Sequence, residues 1–342
     1  HAWAIPPQHG MGPVHQRGLA NTLLRVEDER AMCLSMDSHM GFMRGWDRLL
    51  IQEWSSVRNE FAVLTVYPMD IASMDEDPKR ERSYSHLCGY EKEKSAMEPG
   101  MPRGRAPYPS PRREGERPHL TMNWAAGFSF HRCHAERVVP ADVHLRWTFS
   151  GEEANRAVRL WTHGYDMYIP TVPIVTHEYK SAKQQFWKYK GTESNVAIHA
   201  AQRRQRRLLR MGGEGSYEFL EAEPPYALGD QRTMEQFVNW SRQEFGETWG
   251  PWLRSHGIQP QPPGSSGELC KKLERWPVRD EAELVASVAP QPPERGAARL
   301  SSFPRGRLEL WDGARWGTLC RLPWAETDRA GPSGLCQQLG YG

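Results

Sequence analysis

One stretch constrains the chain more than any other: Ala31 to Asp47, AMCLSMDSHMGFMRGWD. It opens as a short apolar run, Ala31-Met32-Cys33-Leu34, bounded by polar residues, which reads as a buried strand. The run ends at Asp37-Ser38-His39. An acid and an imidazole two residues apart project the same way if the strand continues, and a turn there leaves both free to converge on one ion. A carboxylate with a neutral imidazole suits Mn²⁺ or a similar divalent cation. The pair supplies only two ligands, and a surface Asp-Ser-His turn explains the same residues without a metal.

Around this stretch, helical and extended patterns alternate. Val14 to Leu24 has helical spacing with an internal Gly18. Arg48 to Arg58 reads as an amphipathic helix, and Phe61 to Tyr67 as a buried strand stopped by Pro68. That alternation favours an α/β sandwich with a largely parallel sheet. With 342 residues and 14 tryptophans, the chain has the length for two domains and the apolar mass for a sizeable core. A formal net charge of +2 argues against a nucleic-acid binder. No apolar run is long enough to cross a bilayer, and no leader pattern opens the sequence. It starts at His1 rather than Met, which is compatible with a leader upstream. The six cysteines, Cys33, Cys88, Cys133, Cys270, Cys320 and Cys336, show no metal-knuckle spacing and leave the redox compartment open.

From Asp70 to His119 the pattern dissolves into charged, Pro/Gly-rich sequence, which predicts a low-order insert or a mobile acceptor-facing loop. Order returns at TMNWAAGFSF, where Ala125, Ala126 and Gly127 between aromatics mark a place that something approaches closely, or simple core packing. Ser150-Gly-Glu-Glu153 opens a helix with an apolar stripe at Ala154, Ala157, Val158 and Trp161, stopped at Gly164. Ser150 with Glu153 fits a capping box, which leaves Glu152 over. His177 lies on a short strand, IVTHEY, and is either structural or the missing third ligand. The helix from Asn195 to Met211 carries five arginines, Arg203, Arg204, Arg206, Arg207 and Arg210, on a solvated face or toward a diphosphate. The Gly-Asp turn of YALGDQRTMEQF can offer backbone N–H groups to an anion. Beyond Ser255 the composition is that of a linker bracketing one helix-like piece, and GRLELWDGARWGTLC then alternates like a hairpin.

Taken together, LSMDSHMGFMRGWD, AVLTVYP, WAAGFSF, FSGEEANRAVRLWTHGYDMYIPT, IVTHEY and ALGDQRTMEQF resemble, in that order, the polypeptide α-N-acetylglucosaminyltransferases. The best-known members modify a hydroxyproline on the adaptor subunit of SCF ubiquitin ligases in the protist cytoplasm. The resemblance spans roughly Gly12 to Phe237. It implies a GT-A fold, Rossmann-like with a mostly parallel sheet, a UDP-GlcNAc donor, Mn²⁺ or another divalent cation, and retention of anomeric configuration. By position it implies Asp37, His39 and His177 as metal ligands. Arg17, Trp124, Ala126, Gly127 and Arg232 would contact the donor, Arg232 at the diphosphate. Glu152 and Glu153, with Asp37, would serve the sugar and the acceptor hydroxyl. RLELWDGARWGTLC and GLCQQLGYG resemble the opening of a scavenger receptor cysteine-rich (SRCR) domain, in which Cys320 and Cys336 would pair with cysteines further along.

The expected organisation is therefore a transferase domain over 1–254 with its low-order insert at 70–119, a linker over 255–305, and a partial, loosely held SRCR segment over 306–342. Family members carry a strand and helix ahead of the Gly12 region that form much of the uridine pocket, and the sequence starts after that point. The expected activity is metal-dependent transfer of GlcNAc to a protein hydroxyl, of hydroxyproline or Ser/Thr. The alternative is a catalytically inactive, transferase-like binding protein or fragment with SRCR-mediated protein recognition. With few cysteines in the transferase part and no evident pairs, the expected location is cytoplasmic, with the secretory pathway or a membrane association as the alternative.

Overall fold

The computed structural model describes residues 6, 9–22, 24, 30–72, 83–85, 87–94, 100–106, 109–111, 117–179, 188–212, 224–264, 268–288, 298–300, 308–311 and 316–318. The chain divides into two units, His1–Ala289 and Pro290–Gly342.

The first unit opens with α1 (Pro13–Thr22), β1 (Met32–Met36), β2 (Met40–Phe42), α2 (Trp46–Val57), β3 (Ala62–Thr65) and β4 (Met69–Asp70). The insert follows, with β5 (Ser83–Ser85), β6 (Gly89–Lys92), β7 (Pro102–Arg105) and β8 (Pro109–Pro111). Then come β9 (His119–Thr121), β10 (Phe128–Arg132), α3 (His134–Val138), α4 (Glu152–Thr162), β11 (Asp166–Ile169) and β12 (Val175–His177). The helices α5 (Thr192–Leu208), α6 (Met234–Ser241), α7 (Trp249–Ser255) and α8 (Glu281–Val288) complete it.

The central sheet has the order β1-β10-β3-β11-β9, and a smaller sheet has the order β2-β12-β4. In the central sheet β3 and β11 pair in parallel, while β1–β10, β10–β3 and β11–β9 are antiparallel. The expected largely parallel sheet is thus corrected. The strands β3 and β11 are buried throughout, and continuous apolar runs such as Ala62–Leu64 do not encode direction. One face packs on α4, whose Ala157, Val158 and Trp161 enter the main core as their helical spacing requires. Trp161 stacks on Trp240 at 5.4 Å between ring centroids and meets Phe237 edge-on at 5.4 Å. On the other face α2 buries Leu50 and Trp54 against Leu64, Phe128 and Phe130.

Three expectations about order change. The insert is not uniformly low in order: β6 and β7 pair antiparallel, and Leu87, Cys88, Tyr90 and Met101 are fully buried. Their apolar residues are too widely spaced to register as a period, but a hairpin needs only one packed side. The described residues between 256 and 288 are not a linker: Cys270, Leu284 and Val288 join the main core, with Leu273, Trp276 and Val278 packed beside them. Finally, cysteines of this unit do pair. Cys33–Cys133 and Cys88–Cys270 are disulfides across 100 and 182 residues of sequence, separations at which no local motif is visible.

In the second unit β13 (Ala298–Leu300), β14 (Leu308–Trp311) and β15 (Trp316–Thr318) form an antiparallel sheet, with Trp311 opposite Trp316. The hairpin read from RLELWDGARWGTLC lies there. Cys320, Cys336 and GLCQQLGYG fall outside the described residues.

Candidate metal centre

The centre forms where the chain leaves one sheet for the other. β1 ends at Met36, a bend carries Asp37, Ser38 and His39, and β2 begins at Met40 in the second sheet. β12 pairs with β2 so that His177 stands opposite Met40, and Glu178 N–H donates to His39 O at 3.0 Å. Sheet register thus delivers the third residue next to the first two. One ligand atom each from Asp37, His39 and His177 lie within 4.8 Å of one another. His177 Nε2 is 3.3 Å from Asp37 Oδ2, and its Nδ1 is a buried atom with no hydrogen-bond partner. The His39 and His177 rings sit 4.2 Å apart, edge to face. Burial, with His39 adjacent, lowers the pKa of His177 and favours the neutral imidazole that ligates metals. One carboxylate and two imidazoles suit a borderline divalent cation, and the donor set fits a metal.

The small residues of WAAGFSF have a physical use. Asp37 N–H donates to Gly127 O at 3.3 Å, and a Cβ on Gly127 would lie 3.3 Å from Asp37 Oδ2. Gly127 therefore lets the Asp37 carboxylate settle against the backbone. Ala126 presents both its backbone groups: its O accepts from Arg17 Nη2 at 3.2 Å, and its N–H donates to Glu153 Oε1 at 3.1 Å. Trp124 is buried, with its indole N–H on Ser129 Oγ at 3.0 Å.

Arg17, from α1, joins this cluster to α4. Its Nη2 reaches Asp37 Oδ1 at 2.7 Å and its Nη1 reaches Glu152 Oε1 at 2.8 Å. The capping box expected of Ser150 and Glu153 does not form. Gly151 takes the N-cap with a φ of 86°, Ser150 donates to Glu93 at 3.1 Å, and both acids turn inward. Burial pushes Glu152 up, against the pull of Arg17. Burial also pushes Glu153 up to about 7, although the Tyr67 hydroxyl, in close contact with its Oε2, and Ala126 N–H favour the ionised form.

Arg232 is not with them. Its guanidinium is fully enclosed, 2.9 Å from Asp166 Oδ1 and 4.8 Å from the Trp161 ring centroid. The neighbouring turn is also occupied: Gly229 N–H donates to Thr162 Oγ1, and Gln231 and Arg232 N–H both donate to Thr162 O. The LGDQRT segment anchors the end of α4, and the diphosphate role expected of Arg232 is replaced by a structural one. In α5, Arg204 pairs with buried Asp142 at 2.6 Å, and just past the helix end Arg210 pairs with Glu235 at 2.7 Å.

Beside the centre a cavity of about 470 Å³ runs along β1, bounded by Arg17, Glu152, Trp124, Asn155, Arg156 and Arg159 among others. Arg156 is buried with Nη2 on Glu136 at 2.9 Å, leaving its Nε and Nη1 without partners. Sequence reading missed Arg156, and also Tyr179, whose ring lies 4.2 Å from that of His177 and whose hydroxyl donates to Pro68 O at 2.7 Å. Tyr179 was findable, two residues after His177 and just past the end of β12; Arg156 was hidden inside a helix read for its apolar stripe.

A mixed α/β body with helices over a central sheet and a possible metal cluster at a strand end is compatible with a glycosyltransferase domain. The family model described as Glycosyltransferase (GlcNAc) matches residues 1–247 of the 342. The chain belongs to that family.

Proposed function

We propose that the chain is a metal-dependent transferase of the GT-A class that moves N-acetylglucosamine from UDP-GlcNAc to a protein hydroxyl with retention. The observation that carries the reading is the convergence of Asp37, His39 and His177 beside a cavity edged by Arg17, Arg156 and Glu152, in a chain of the GlcNAc glycosyltransferase family. Those three side chains would hold Mn²⁺ or a similar cation. When bound, the ion supplies positive charge to the diphosphate leaving group.

The chain's own groups account for the rest. Arg156 lines the cavity and, held by Glu136, supplies fixed positive charge to an anionic portion of the donor, where a preformed cation needs little reorganisation. Glu152, which lines the cavity, orients sugar hydroxyls. With retention, the acceptor oxygen bonds to the anomeric carbon on the face from which the UDP oxygen departs. The acceptor proton passes to that departing oxygen, and no separate strong base is needed.

The two disulfides support an oxidising compartment, the alternative in the sequence reading, because buried pairs such as Cys88–Cys270 persist where thiols are not kept reduced. No helix among the described residues is long and apolar enough to cross a membrane. The test of the activity is UDP release from UDP-GlcNAc with Mn²⁺ and a panel of hydroxyl-bearing peptides. Peptide-dependent release that chelation abolishes supports the proposal. A folded, Mn²⁺-loaded protein inert to the donor would overturn it.

A further inference from the structure

We infer that Arg17 is a positioning residue: it fixes Asp37 as a one-oxygen metal ligand and couples the centre to the acids of α4. The inference rests on the metal reading above. It starts from how firmly α1 is held. A Cβ on Gly18 would meet Val143 Cγ1 at 2.5 Å and Ala141 O at 2.7 Å, so the helix packs against 141–143 with no room to shift. His15 Nδ1 lies 2.6 Å from Val143 O, Asn21 accepts from Ala141 N–H at 2.8 Å, and Asn21 Nδ2 donates to Glu136 at 2.7 Å. Contacts on both sides of Arg17 leave its side chain one direction, inward.

There the planar fork makes three bonds. Nη2 takes Asp37 Oδ1 and Ala126 O, while Nη1 takes Glu152 Oε1. With Oδ1 occupied, Asp37 has Oδ2 to offer the site it shares with His39 and His177. Arg17 also supplies the counter-charge that keeps buried Glu152 beside a second carboxylate. A lysine cannot replace it, because a single ammonium does not span two carboxylates and a carbonyl in fixed geometry. Residues that orient metal ligands typically change metal affinity by about 10–100-fold when removed.

The experiment measures Mn²⁺ binding by the EPR signal of free Mn²⁺, together with the visible absorption of Co²⁺, for wild type, Arg17→Ala and Arg17→Lys. Arg17→Lys keeps the charge and guards against a variant that does not fold, with circular dichroism confirming structure. Expected are roughly 10–100-fold weaker Mn²⁺ binding in Arg17→Ala, a smaller loss in Arg17→Lys, and a weaker Co²⁺ band as Asp37 becomes free to bind through both oxygens. A merely structural arginine would move thermal stability and leave the Co²⁺ spectrum alone. Unchanged or tighter binding with an unchanged spectrum in the folded variants overturns the positioning role while the metal reading stands. A wild-type protein that binds neither ion overturns the metal reading, and this inference with it.

Discussion

Two turns in this chain carry the same chemistry on paper. Asp37-Ser38-His39 and Gly229-Asp230-Gln231-Arg232 each set charged side chains and free backbone groups at the end of an apolar run. In the first, the side chains converge with His177 and keep ligand atoms unsatisfied. In the second, backbone N–H groups close on Thr162 and Arg232 closes on Asp166. A polar turn becomes a site when a second element delivers matching ligand groups to one point. Here the β2–β12 register does so, whereas the turn at the end of α4 places its backbone N–H groups on Thr162 and encloses Arg232 against Asp166.

The sharpest way to separate the two is to break the second. Arg232→Ala strips a fully buried carboxylate of one partner, leaving Asp166 with half-exposed Arg275 at 2.8 Å and the Asn59 amide at 2.9 Å. Removing one member of a buried pair costs about 3–5 kcal/mol, which urea denaturation will read, while Mn²⁺ affinity of the remaining folded protein stays unchanged. A stable variant with weakened donor binding would put Arg232 back at the diphosphate.

Next is Gly127→Ala. The added methyl meets Asp37 Oδ2 at 3.3 Å, and overpacking of this kind costs about 1–3 kcal/mol. The expected signature combines a modest loss of thermal stability with weaker Mn²⁺ binding, because the crowded atom is the proposed ligand oxygen. Equal Mn²⁺ binding would detach the small-residue strand from the centre.

A third effect is a slope with pH. Glu153 is raised from 4.5 to about 7. The folded state therefore binds this proton more tightly than the unfolded state, and stability falls as pH rises from about 4.5 to 7. Metal-free Glu153→Gln lacks this loss, so its melting temperature gains on wild type across that window. Parallel curves would mean the carboxyl is not held in the buried pocket formed with Tyr67 and Ala126.

Much of this was legible in sequence, and the limits are physical. Helical spacing found α1, α2, α4 and α5, and apolar runs found β1 and β3, because burial imposes period on local sequence. Strand direction was not legible, since a strand covered on both faces carries the same apolar run either way. Neither were Cys33–Cys133 and Cys88–Cys270, whose partners meet only in space. Ser150 and Glu153 matched a capping pattern, but Tyr67 and Ala126 outbid the helix end for the Glu153 carboxylate. Asp37 and His39 drew attention by type; what unites them with His177 is a register that no local window contains.

The most direct test is calorimetric titration of UDP into the chain with and without Mn²⁺, repeated on Asp37→Ala. The account predicts Mn²⁺-dependent UDP binding in wild type and its loss in Asp37→Ala, with the circular dichroism spectrum unchanged. Equal UDP binding with and without Mn²⁺, or full Mn²⁺-dependent binding by Asp37→Ala, would contradict it.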